Sequence, residues 1–162
     1  MASDFSVSWE LSRGRLGQEV QGLSAAQLNY RIYPGSLSIG EMALHVAGVE
    51  VWFVCQMKGE PVPDDLLRLT RCATEGVVND SPFPFSAGEI TPEFVAESFE
   101  RASALVKSVI YEPTAEQRAA TVQSALGPVI DGTGALARIA FHSGYHHGQV
   151  YQMKCAPDFP VG

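Results

Sequence analysis

The chain has 162 residues, 46% of them hydrophobic, and its 11 Lys and Arg against 18 Asp and Glu give a formal charge of −7. That is enough sequence to enclose one core, and the negative balance is the wrong sign for phosphate contacts, so a single domain over 1–162 with no nucleic-acid partner is expected. No cationic segment leads into an apolar run and no apolar stretch approaches membrane-spanning length, so neither a signal peptide nor a membrane span is expected, and the expected compartment is cytoplasmic.

Phe5, Trp9, Leu16, Val20 and Leu23 recur at helical spacing and predict a first helix over 5–23, which Gly14 and Gly17 leave dependent on tertiary packing. Ser24 and Gln27 have capping-box spacing, predicting a short helical turn before the irregular Tyr33-Pro34-Gly35. The same box recurs at Ser38 and Glu41, with Leu37 and Met42 at the hydrophobic-staple positions, so a second long helix is predicted over 38–57. Residues 58–90 are rich in proline and glycine, which interrupts any continuous helix, and a short helix within 64–74 is the only regular element expected there. A connection this long is either a lid over a site or a strap between helices.

Thr91, Pro92 and Glu93 supply an N-cap, a first-position proline and an early acid, and Val95, Phe99, Ala102, Val106 and Val109 carry a third long helix to about Tyr111. Residues 112–134 hold a minor capping signal at Thr114 and Gln117 and otherwise read as a loop that lets the last helix begin, predicted over 134–154. The final residues from Asp158 read as a frayed tail. Four long amphipathic segments without an alternating strand run predict an all-α fold, a four-helix bundle with long inter-helix connections and essentially no sheet.

Histidines stand in unusual places on two of these helices. At about 100° per residue, His142 and His146 share a stripe with Ala135, Ile139, Gln149, Val150 and Met153, while His45 shares one with Met42, Val49, Trp52 and Gln56. A histidine pair at i, i+4 stands close enough to share one ion; the alternative is a hydrogen-bonded core histidine. Three of the chain's four histidines on core-facing stripes are hard to explain by packing alone. The three cysteines, Cys55, Cys72 and Cys155, have no CxxC spacing and read as reduced thiols, so a metal here would need histidine or carboxylate ligands. His147 lies about 100° around the helix from His146 and reads as a surface or interface residue.

The block His142-Ser-Gly-Tyr-His146-His-Gly-Gln149, with Leu23-Ser-Ala-Ala-Gln-Leu-Asn29 and Ser38-Ile-Gly-Glu-Met-Ala-Leu-His45 upstream, resembles the DinB-like (DinB/YfiT) family of metalloenzymes. The likeness runs from the first helix through Met153, and the third consecutive-block histidine, His147, departs from it. It implies that His45, His142 and His146 bind a divalent metal, zinc or nickel, within a four-helix bundle that pairs as a homodimer. Some relatives use a low-molecular-weight thiol in transferase or isomerase reactions.

Three neutral imidazoles would leave an ion with an open coordination position, suited to activating a thiol cofactor for transfer or isomerisation of a small-molecule substrate. Metal-dependent hydrolysis is the alternative enzyme, and a non-enzymatic metal-binding, stress-related bundle protein is the alternative outside catalysis. Tyr145 and Gln149 could orient a nucleophile, or pack at the bundle edge and bond backbone. Glu41 could touch the site, though its capping role already accounts for it, and Trp52, Phe83 and Phe85 could wall a pocket or simply fill core. Residues 58–90 carry no motif that names a substrate, and Arg68, Arg71 and Arg138 are too scattered to mark an anion pocket.

Overall fold

The computed structural model describes residues 3–125 and 127–161. Helix α1 (Asp4–Val20) begins at Ser3, whose hydroxyl accepts from the Ser6 amide, and it stops before the predicted Leu23 because Gln21 is already extended. The short α2 (Ala25–Leu28) and the long α3 (Ile39–Lys58) both start on complete capping boxes, Ser24 with Gln27 and Ser38 with Glu41. At its other end α3 stops on Gly59, whose φ of 65° is the left-handed conformation that terminates helices and favours glycine.

Residues 58–90 wrap the outside of α3. They form a 3-10 turn (Asp64–Leu66) running into α4 (Leu67–Arg71), where one short helix was expected to reach Thr74. Helix α4 lies so close to α3 that a Cβ on Gly48 would stand 2.4 Å from the Leu69 carbonyl oxygen. Helix α5 (Pro92–Ile110) starts on Thr91, and the minor signal at Thr114 and Gln117 is a full capping box opening α6 (Ala115–Ala119).

The expectation of essentially no sheet is corrected here, because residues read as loop form a small antiparallel hairpin. Its strands β1 (Thr121–Gln123) and β2 (Val129–Asp131) pair Val122 with Ile130. Strands of three residues are too short to display an alternating pattern, and much of their support comes from α3: Trp52 Nε1 and Gln56 Nε2 donate to the Gln123 carbonyl, and the Gln123 amide donates to Gln56 Oε1. Helix α7 (Gly132–Lys154) follows at once, starting two residues before the predicted Gly134 because Asp131 accepts from the Gly134 amide.

The protein is mostly helical. Helix α7 packs on both α1 and α3, and α3 also packs on α5. On the far side of α3 from His45, the fully enclosed Glu50 accepts from Trp9 Nε1 at 2.9 Å and from Arg13 Nε at 3.0 and 3.2 Å. Arg13 donates on to the Phe99 carbonyl and stacks 3.5 Å above the Phe99 ring, so one buried polar knot joins α1, α3 and α5. No helix is long and apolar enough to cross a membrane among the described residues.

Removing one side of a buried ion pair strands the other charge. Glu50→Ala is therefore expected to cost about 3 to 5 kcal/mol in urea unfolding. The double replacement Arg13→Met with Glu50→Leu should recover most of that loss; a double variant as unstable as Glu50→Ala would show that the charges are not what fails.

Candidate metal centre

Antiparallel packing of α3 and α7 brings the three stripe histidines into one place. His45 Nε2 lies 3.2 Å from His142 Nε2, which lies 3.0 Å from His146 Nε2, and one ring nitrogen from each of the three falls within 4.8 Å of the other two. His45 and His146 are buried and His142 is half-buried. No carboxylate belongs to this group among the described residues.

The tautomer of His45 follows from its partner. Its Nδ1 lies 2.8 Å from the Cys72 carbonyl oxygen, which can only accept, so Nδ1 carries the proton and Nε2 in the neutral ring holds a lone pair aimed at His142. This acceptor lies in the segment between α3 and α5 and is backbone, so no side-chain pattern could have pointed to it. The Cys72 thiol takes no such part, since burial, aided by Glu75, pushes it up to about 12.

All three rings are held neutral. Burial and the neighbouring imidazoles of His45 and His146 depress His142 to about 2, and burial with His45 depresses His146 to about 4. Burial lowers His45 too, against an opposing pull from the Cys72 carbonyl. Gln149 lies close enough to His146 to favour its proton slightly, although Gln149 Oε1 and His146 Nδ1 do not meet at hydrogen-bond geometry. His142 Nδ1 is likewise buried without a protein acceptor.

Three neutral imidazoles with nitrogens turned on one another form a donor set that suits a cation. Nitrogens bound tetrahedrally to zinc stand about 3.3 Å apart, given zinc–nitrogen distances of about 2.0–2.1 Å. The observed 3.0 and 3.2 Å come within a few tenths of that edge. Hydrogen bonds alone satisfy the cluster poorly, because the single proton His142 can carry on Nε2 serves one neighbour at a time.

The other sequence candidates fall into place around this group. Tyr145 is exposed and turns its ring edge-on to His146 with centroids 5.0 Å apart. His147 points away, toward α1, with Nε2 3.8 Å from a Glu19 carboxylate that Lys154 also holds. Glu41 is taken up by the Ser38 amide and Arg31, outside the histidine group. Trp52, Phe83 and Phe85 do not make one wall: Trp52 packs with the cluster around Phe53 and Ile139, whereas Phe83 and Phe85 join the one around Leu66 and Leu69.

A helical protein of this kind with a histidine cluster between two helices is a recognisable class, and the DinB superfamily profile matches residues 8–150. The chain belongs to the DinB superfamily. A solved structure of a conserved protein from Enterococcus faecalis has a similar fold, with a TM-score of 0.66, 14% identity, and coverage of 93% of this chain and 92% of that one. Comparison with curated proteins finds no match.

These depressed basicities set a pH dependence. A histidine whose folded pKa lies below its unfolded value near 6.5 stabilises fully above that value and loses stability as pH falls toward the folded pKa. The metal-free protein should therefore weaken between about pH 6.5 and pH 4 by roughly 1 kcal/mol or more per pH unit in chemical denaturation. His142→Ala with His146→Ala should flatten that slope; an unchanged slope would place the titrating groups elsewhere.

Proposed function

We propose that the chain is a divalent-metal-dependent enzyme in which His45, His142 and His146 hold the ion and a thiol cofactor is activated for transfer or isomerisation. The observation that carries the metal reading is the convergence of three neutral ring nitrogens, with His142 Nε2 3.2 Å from His45 Nε2 and 3.0 Å from His146 Nε2 and the tautomer of His45 set by a backbone carbonyl. A divalent ion at these residues supplies Lewis acidity, lowering the pKa of a water or thiol brought to its free position.

The remaining work falls to the protein. The Cys72 carbonyl keeps the His45 lone pair facing α7, and burial keeps protons off all three rings at neutral pH. Gln149 stands beside His146 and can steady it by a small rotation, while the exposed Tyr145 ring covers one edge of that imidazole. Three protein ligands leave a position free, and that favours chemistry over a purely bracing ion. The thiol substrate class rests on family likeness; hydrolysis is the reading to which a failed thiol assay would turn.

In this reading the four long helices are a four-helix bundle in one cytoplasmic domain, with their pairwise packing in support. The chain pairs as a homodimer, for which exposed Val7 and Leu11 on α1 and exposed Phe141 on the adjoining α7 offer an apolar face. Light scattering is expected to give a dimer, and a monomer across the whole concentration range would remove this part of the reading.

Metal content provides the main test. After loading with zinc or nickel and dialysis, the protein should retain about one ion per chain by elemental analysis, and His45→Ala, His142→Ala or His146→Ala should each lower affinity by at least about tenfold. His147→Ala should retain the ion. Equal loss at His147 would mean the ligand face is misassigned, and no uptake by the native protein would leave the cluster as a core of hydrogen-bonded histidines.

A further inference from the structure

Most cations of this chain are neutralised in place: Arg68 and Arg71, for example, are held by Glu89 and Glu75. Arg138 differs. Among the described residues it pairs with no carboxylate, and its protein hydrogen bond runs from Nη1 to Ser124 Oγ. Its other guanidinium nitrogens have no protein acceptor, yet they are not sealed from solvent. A half-buried arginine with free donors, in a chain carrying seven more acids than bases, invites explanation.

Its location supplies one. Arg138 precedes His142 by one helical turn on the same ridge of α7, and Trp52 stands about two turns beyond His45 on the same face of α3. Helix α3 is buried almost all round, but Trp52 and Gln56 on this face are half-buried, as are His142 and Arg138 opposite. The α3–α7 seam is thus partly reached by solvent along one side, with the histidines at one end. The hairpin closes the other, where Trp52 and Gln56 bond Gln123 and Arg138 bonds Ser124.

We propose that Arg138 anchors the carboxylate of a small mercaptocarboxylic acid whose thiol reaches the histidine centre. The inference rests on the metal reading above and narrows its substrate class. A guanidinium already fixed at one nitrogen presents its remaining donors in a planar fork that matches a carboxylate, and partial burial strengthens the charge-assisted bonds. The Trp52 indole, itself pinned through Nε1, offers an apolar wall for the connecting methylenes. In a chain of net negative charge, an anionic thiol would be drawn to this seam by a guanidinium that no carboxylate neutralises.

The test uses the full chain loaded with cobalt(II), whose thiolate charge-transfer absorption reports sulfur binding without any turnover. A series of mercaptocarboxylates of increasing length is titrated against matched neutral mercaptoalcohols. At the length that spans the seam, the acid should bind about tenfold more tightly than the alcohol. Arg138→Gln should erase that preference with alcohol binding unchanged, and Arg138→Lys should keep part of it. Equal binding of acid and alcohol at every length, or an Arg138→Gln variant that weakens both alike, would overturn the inference. Cobalt uptake without any thiolate band would also overturn it while leaving the metal reading standing; failure to hold cobalt at all would bring down both.

Discussion

Helix α3 is enclosed along nearly its whole circumference, with 17 of its 20 residues buried, and this sets the terms for every polar side chain on it. A buried polar group without a partner is costly, and a buried charge more so. Glu41 is met by the Ser38 amide and Arg31, and Glu50 by Trp9 and Arg13. His45 meets the Cys72 carbonyl on one ring nitrogen and His142 of α7 on the other. The architecture can be read as a set of neighbours recruited to satisfy this one helix: α1 and α5 through the Glu50 knot, the α4 segment through Cys72, and α7 through the imidazoles.

Those obligations also shape the site. Three imidazoles in a shared, weakly solvated space repel protonation, so the arrangement trades basicity for a concentration of lone pairs. The same packing leaves Nδ1 of His142 and of His146, on the far side of each ring, buried without a protein partner, a local cost that the rest of the core has to offset. Functional centres commonly sit where local rules are broken in this way. Membership of the DinB superfamily accounts for the scaffold; the chemistry has to be argued from the residues on the seam.

Much of this was legible in the sequence, for reasons that can be named. Capping boxes at Ser24, Ser38 and Thr114 are local chemistry, written within four residues, and each one opens a helix. The inward histidines were visible because helical periodicity fixes which residues share a face, and packing α3 against α7 needed only to bring two faces together. What escaped depends on contacts between distant segments. The hairpin leans on Trp52 and Gln56 from another helix, and the early start of α7 hid in a stretch dense with glycine. Arg138 looked ordinary beside Arg68 and Arg71, because what sets it apart is the carboxylate it lacks, and only the fold reveals which acids come near.

The partner of His45 is a carbonyl oxygen, and every residue type carries one. Substitution at position 72 therefore leaves that hydrogen bond chemically available, and the position is free to drift so far as the imidazole is concerned. Its vulnerability lies one turn along α3 from His45, at Gly48, where the absence of a side chain lets the Leu69 carbonyl approach within 2.4 Å of where a Cβ would be. A methyl group there would lift the strap and carry the Cys72 oxygen away with it. The ring orientation at the centre is thus encoded by an empty space outside it, a dependence that a comparison of site side chains alone would pass over.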